Sequence, residues 1–313
     1  MKRLLFVLTR LWRYHNLYFL KPHDAVNDTL TSSLLHRLDW SGPVVEIGAG
    51  DGVFSYVMHG GSFPLCFDRY LLTDLSRQDI YDSHRADVLR PAVKLNSPDI
   101  ELAIDAKDSH VRKIREIGFA KRSQVAAYEA LPLTSASVDK IFYYTPHGLN
   151  DHEKAIRETV RVLKSGGRML ILLYDTKFSN SFLCHRLAKS LPDPVASYFR
   201  RLDGGRFQEI TRLAKSPKEW EQFFDHYGFA IESHHSGLSM FAWKIYDVQT
   251  RPILKPLIRF FGFLPNQVRK FIKLIWMLIF YPYLVFFYLL FSNEFLKIGG
   301  ADCYHAYQLK KAV

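Results

Sequence analysis

Three glycines at alternate positions follow directly on an apolar run in VVEIGAGDG, residues 44–52. Glycine lacks Cβ and accepts positive φ, so such a turn lets bare backbone approach a ligand. The spacing is Gly48-Ala49-Gly50-Asp51-Gly52. A turn that seats a pyrophosphate needs G-x-G-x-x-G, but position 53 is Val53. Glu46 and Asp51 would also repel a pyrophosphate, and they suit a ligand carrying an amino group or a positive charge. A second chemical stretch is YYTPHGLNDH, 143–152. There His147 could accept a proton near neutral pH and Tyr144 could orient an acceptor; a plain surface histidine is the other reading of His147. Arg206, in DGGRF, could bind a phosphate or carboxylate, or be simply solvated. Glu158 and Arg161 fit a structural pair one helical turn apart, and His234 and His235 are weaker candidates. The three cysteines, Cys66, Cys184 and Cys303, form no ligand-spaced cluster, so no metal site and no disulfide framework is expected.

These residues need elements to hold them. Pro43–Ile47 reads as a buried strand, and 52–60 as the helix after the glycines. IELAIDAKD (100–108) reads as a strand ending at Asp105, followed by the helix SHVRKIREIGF. QVAAYEALPL reads as a short strand and turn, VDKIFYYT as a strand and DHEKAIRETVRVLK as a helix. SGG (165–167) reads as a stop before the strand RMLILLYD. Ser216 and Glu219 form a capping-box pattern at the start of SPKEWEQFFDHYGF, and AIESHHSGL reads as a strand. Strand and helix alternate, which predicts an α/β, mostly parallel, doubly wound sheet. Residues 61–98 and 176–215 are polar and irregular. In such sheets ligands bind beyond the carboxyl ends of the strands.

VVEIGAGDG resembles the first motif of class I S-adenosylmethionine-dependent methyltransferases, a Rossmann-like family, and of its UbiE-like, or methyltransferase type 11, branch. IELAIDAKD, AAYEALPLTSASVDKIFYY and ETVRVLKSGGRMLIL resemble further motifs in the family's order, with Ser165 where proline is usual. The resemblance covers residues 40–175 closely and 216–235 loosely. It implies S-adenosyl-L-methionine as cofactor and seven strands, the last of them antiparallel. It implies that Gly48, Ala49, Gly50 and Gly52 pass under the methionine part, that Glu46 and Asp51 meet its ammonium, and that Asp105 accepts the ribose hydroxyls. The family often has an acid near position 127; with Ala127 there, Tyr128, Glu129 or backbone must serve the adenine, beside Tyr144. Asp74, in YLLTDLS, is the rival for the ribose, and its other reading is a turn or cap residue.

The net charge of +11 resides in two segments. Residues 1–21 hold five basic residues and no acid, and 248–273 hold six and no acid. Both are rich in large apolar residues, which fits an anionic lipid surface better than nucleic acid. Residues 1–22 are expected as a basic amphipathic helix, lying on a membrane or packed on the protein's own core. LIWMLIFYPYLVFFYLLF, 274–291, has no charge and is just long enough to span a bilayer. ADCYHAYQLKK (301–311) resembles the family's seventh strand, and a strand that rejoins the sheet excludes a single crossing. Residues 251–297 are therefore expected as a monotopic insertion within a methyltransferase domain of 23–250 completed by 298–313; the alternatives are a helical cap or homodimer interface, and a single span. The expected function is a methyltransferase at the cytoplasmic face of the membrane, with a lipid, lipid-linked glycan or isoprenoid-type acceptor and no nucleic-acid partner. The alternatives are a soluble glycan or small-molecule acceptor, and a non-catalytic cofactor-binding protein.

Overall fold

The structure, a computed structural model, describes residues 2–312 apart from 78, 84–92, 94, 96–98, 145–150, 204, 205, 250, 251, 293–295, 297 and 299–301. The elements run α1 (Lys2–Leu17), α2 (Pro22–Leu35), β1 (Val44–Ile47), α3 (Val53–Met58), β2 (Ile100–Asp105), α4 (Asp108–Ile117), β3 (Ala120–Val125), β4 (Val138–Tyr143), α5 (His152–Val162) and β5 (Leu163–Tyr174). They continue with α6 (Leu183–Leu187), α7 (Val195–Asp203), α8 (Arg206–Leu213), α9 (Pro217–His226), β6 (Phe229–Ser239), α10 (Met240–Val248), α11 (Leu254–Phe263), α12 (Asn266–Phe291) and β7 (Asp302–Lys311).

The described strands form one sheet in the order β3-β2-β1-β4-β5-β7-β6. β1 pairs in parallel with both β2 and β4. β7 runs antiparallel between β5 and β6, placing Tyr304 opposite Tyr174. This is the doubly wound, seven-stranded, mostly parallel sheet expected from the sequence. Leu11, Tyr14, Val26, Phe54, Ile114 and Phe287 belong to a core cluster formed by α1–α4 and α12 with Phe142, Leu170 and Leu172 of the sheet. On the other face Ile156 and Val162 of α5 and Trp220 and Phe224 of α9 pack against Ile141, Ile171 and Tyr307.

Local chemistry sets the element ends. Ser216 and Glu219 close the capping box of α9, and Asp151 caps α5 by accepting from the Lys154 N–H. Two boundaries differ from expectation. β3 is AKRSQV rather than the later QVAAYEALPL, because an exposed edge strand carries little of the apolar patterning that marks a buried one. The SGG triplet lies inside β5, whose pairing to β4 shifts register there. Gly167 permits that irregularity, since a Cβ would stand 2.9 Å from the Lys164 carbonyl oxygen. The irregular stretch 176–215 contains α6, α7 and α8.

The first helix packs on the protein. Leu11, Tyr14 and Leu17 are fully buried. Its basic residues turn inward: Arg10 donates to the Met58 carbonyl at 2.6 Å and Arg13 to that of Gly60 at 2.7 Å. Leu4, Leu5 and Phe6 remain exposed. In the 251–297 segment, α11 ends before Pro265 and α12 runs 26 residues. It is the one described helix long and apolar enough to cross a membrane, and only 28 % of its most apolar 18-residue window is buried. Its basic foot is anchored: Arg269 donates to Asp68 and, at 2.5 Å, to the Phe261 carbonyl, while Lys273 donates to the Phe67 carbonyl and, at 2.5 Å, to Asn16.

Candidate active site

At the carboxyl end of β1 the chain turns through Gly48, Gly50 and Gly52 with φ of +73°, +60° and +77°. At Gly52 a Cβ would also lie 2.5 Å from the Phe119 ring, so the position excludes a side chain twice over. The Gly48 and Ala49 N–H groups donate to the Ile104 carbonyl at 2.9 and 3.2 Å, locking the turn to β2. Asp105 ends that strand. Its carboxylate accepts from the Gly50 N–H at 2.9 Å and the Lys107 N–H at 3.0 Å, with His110 Nδ1 at 3.2 Å and the Tyr128 hydroxyl at 3.5 Å. The glycine turn and Asp105 are thus one construction.

Asp74, by contrast, is a turn residue. It accepts from the Ser76 N–H and pairs with Arg77 on the surface. Tyr128 is buried beside Asp105. Ala127 is exposed in the same turn, and Glu129 accepts from the Asp151 N–H at 3.2 Å, bracing the start of α5.

The two acids near the glycines differ. Asp51 already has a cation of the fold beside it. Arg69, buried in the 3-10 turn Arg69–Leu72, meets it at 2.6 Å. Burial opposes the Asp51 charge, but Arg69, Lys113 and His110 outweigh it and hold the carboxyl down to about 2. Arg69 also lies over the rings of Tyr18 and Tyr81. Nothing in the sequence singled out Arg69, because it sits in the irregular 61–98 segment. Glu46 has no cation paired to it among the described residues. Its Oε1 accepts from the Ser55 hydroxyl at 2.6 Å, and its Oε2 is buried with no hydrogen-bond partner among the described residues. Burial, reinforced by Asp105 and resisted by Ser55, pushes the carboxyl up to about 8. An orphaned buried carboxylate oxygen below a glycine turn fits a ligand that brings its own positive charge.

The other half of the sheet end is aromatic. Tyr144, one residue past β4, stacks on Phe54 with ring centroids 4.1 Å apart and planes 8° from parallel. Tyr174 and Tyr304 face each other at 4.7 Å where β5 meets β7. His147 lies outside the described residues. Arg206 begins α8, and its side chain also lies outside them. His234 contacts His305 at 3.0 Å, and His305 lies 3.5 Å from Asp175, a chain that ties β6 and β7 to the end of β5. Glu158 and Arg161 pair at 2.8 Å, as expected. No group of residues suited to a metal ion occurs among the described residues.

Residues 45–171 match the family described as a methyltransferase domain. No curated protein sequence matches the chain. Among solved structures, the chain is similar to the [4+2]-cyclase SpnF at 14% identity, covering 91% of this chain and 82% of that one with a TM-score of 0.46. It is similar to a protein of Thermotoga maritima described as an S-adenosylmethionine-dependent methyltransferase and possible histamine N-methyltransferase, at 14% identity, 99% and 97% coverage and a TM-score of 0.45. It is also similar to geranyl diphosphate C-methyltransferase of Streptomyces coelicolor, solved with S-adenosyl-L-homocysteine, at 12% identity, 93% and 84% coverage and a TM-score of 0.43.

Proposed function

Given that residues 45–171 match a methyltransferase domain and that the enzyme draws on S-adenosylmethionine, we propose that it methylates a lipid, lipid-linked glycan or isoprenoid-type acceptor at the cytoplasmic face of a membrane. The cofactor supplies an electrophilic methyl group. Glu46 would answer its ammonium, and Asp105 would hold its ribose beside the glycine turn, with Tyr128 at the adenine side. Positioning then accounts for much of the rate, because methyl transfer needs the acceptor in line with the methyl–sulfur bond.

The observation that carries the membrane reading is the outer face of α11 and α12. Phe263 is 88 % exposed, and Phe260, Phe271, Leu278, Ile279 and Phe286 are each more than half exposed. Transfer of such side chains out of water contributes on the order of 1 kcal/mol or more each. Lys255, Arg259 and Lys270 stay exposed on the same two helices, and near an anionic surface each adds about 1 kcal/mol. α12 is followed by β7, which rejoins the sheet between β5 and β6, and this supports an insertion that dips and comes back over one that crosses. Helix α2 adjoins it: His23 meets the Phe287 ring at 5.1 Å, and Ser33 bonds the Tyr288 hydroxyl at 3.0 Å.

Flotation with phosphatidylcholine vesicles, with and without phosphatidylglycerol, tests the docking, and methyl-labelled cofactor incubated with membrane and aqueous extracts tests the acceptor. The expected result is flotation strengthened by the anionic lipid and label in the lipid fraction. A soluble dimer that ignores vesicles and labels only the aqueous fraction would sink the proposal.

A further inference from the structure

Two adjacent residues, Asp68 and Arg69, grip opposite parts of the molecule. Asp68 Oδ1 accepts from the Tyr70 N–H at 2.9 Å and caps the 3-10 turn Arg69–Leu72. Its Oδ2 takes the buried guanidinium of Arg269 at the foot of α12. The Phe67 carbonyl accepts from Lys273, one turn further along that helix. Tyr70 shares a core cluster with Leu254, Ile258, Phe261 and Met277 of α11 and α12, and Leu75 packs against the same cluster. One side of the stretch 67–77 therefore belongs to the helical insertion.

Its other side belongs to the cofactor corner. Arg69 is only 6 % exposed, so water offers it no alternative partner. Its guanidinium meets Asp51 of the glycine turn at 2.6 Å and lies 4.9 Å from the Tyr18 ring and 4.0 Å from the Tyr81 ring. Further along, Asp79 pairs with Lys107 at 2.6 Å and lies 3.7 Å from His110 Nε2, whose Nδ1 is 3.2 Å from Asp105. Asp82 accepts from the Ser109 hydroxyl, and the Tyr81 carbonyl accepts from Lys113, both donors on α4. These residues touch both the turn that would carry the methionine end of the cofactor and the acid that would hold its ribose.

Adjacency makes the two grips depend on each other. The capped turn fixes Arg69 relative to Asp68, so Arg69 keeps its place while Asp68 keeps Arg269. When the stretch lifts from α12, Asp51 loses its cation inside a buried site. A bare buried carboxylate is costly. It regains water only by turning outward, together with the peptide units of Gly50 and Gly52 that flank it. We propose that 67–77 is a strap through which the foot of α12 positions the cofactor turn, with Asp68 and Arg69 as positioning residues for S-adenosylmethionine. Cofactor binding and seating of the α12 foot are then linked, each favouring the other by the same factor. The inference rests on the cofactor corner described above, and it holds whichever surface the outer face of the hairpin meets.

S-adenosylhomocysteine titrated calorimetrically into the full chain reads this linkage. Asp68→Asn keeps the shape and the acceptor for the Tyr70 N–H but removes the charge that Arg269 grips, and it should weaken binding at least roughly fivefold. Arg69→Met should weaken it as well, and Arg69→Lys, which keeps a cation for Asp51, should restore part of the loss. Phe224→Leu, in the core on the other face of the sheet, controls for stability alone. It should lower the melting temperature and leave the affinity within about twofold of wild type. Unchanged affinity in Asp68→Asn, or affinity lost by Asp68→Asn and Phe224→Leu in the same proportion to melting temperature, overturns the strap. Hydrogen exchange on the wild-type chain decides the matter even where a variant does not fold. S-adenosylhomocysteine should slow the amides of 69–77 and of 266–277 and leave those of β6 unchanged. Slowing confined to the glycine turn and 105–110 overturns the strap alone, whereas a wild-type chain that gives no binding heat overturns the cofactor corner and the strap with it.

Discussion

Helix α1 and helix α12 are both built from arginine and lysine interleaved with leucine, phenylalanine, tryptophan and tyrosine, yet they meet water differently. α1 buries Leu11, Tyr14 and Leu17 and bonds Arg10 and Arg13 to carbonyl oxygens of residues 58–60. α12 buries Arg269 and Lys273 and leaves Phe271, Leu278, Ile279 and Phe286 outside. Each hides cations, but only α12 presents a long apolar flank. Composition marks both as membrane-seeking, and the difference arises from what each packs on. A cation joins the core when carbonyls and a carboxylate are waiting for it, as Phe67, Phe261 and Asp68 wait for Lys273 and Arg269.

The hardest blow to this comparison would come at Arg269. Arg269→Ala leaves Asp68 buried without its cation, and should cost about 3–5 kcal/mol in denaturant unfolding. A loss below 1 kcal/mol would mean that the foot of α12 is not anchored. Next, Leu11→Ala should cost about 2–5 kcal/mol, whereas Ile279→Ser should stay within about 0.5 kcal/mol while weakening vesicle flotation. Equal destabilisation by the two would make α12 an ordinary core helix.

The same question, whether a charge has a partner inside the fold, sharpens at the cofactor corner. Asp105→Ala should weaken S-adenosylhomocysteine binding by about 1.5–3 kcal/mol, the worth of a charge-assisted hydrogen bond, and exposed Asp74→Ala should leave it unchanged in calorimetry. The reverse order would reassign the ribose acid. The smallest effect concerns Glu46. With its carboxyl raised to about 8, it is largely protonated at pH 7, and a ligand ammonium would return it to the charged form. Binding at pH 7 should therefore release up to one proton, seen as a buffer-dependent heat, and release should vanish above about pH 9 and in Glu46→Gln. Without ligand, the folded state holds this proton longer than the unfolded chain does. Glu46 therefore makes stability fall as pH rises from about 4.5 to 8.

Much of this site is readable from sequence, for reasons that can be named. Asp105 closes an apolar run of the right length, and Ser216 with Glu219 advertises a helix start. Gly48, Gly50 and Gly52 sit where only glycine conformations serve. The rest depends on tertiary packing. Arg69 sits among irregular polar residues, and no spacing marks it as the partner of Asp51. β3, at the sheet edge, lacks an apolar run. The carbonyls that claim Arg10 and Arg13 belong to a turn that only the folded chain brings near.

The position of β7 has a consequence for the order of assembly. Among the described strands β6 borders β7 alone, and β7 lies beyond α11 and α12 in the chain. A nascent polypeptide therefore exposes its greasiest hairpin while β6 still lacks a neighbour and β5 an outer one. Closure of the sheet between β5 and β6 must wait for β7, which follows the hairpin in the chain. Ribosome-arrested chains stopping before residue 302 should already sediment with membranes and remain sensitive to protease, and gain resistance once β7 emerges.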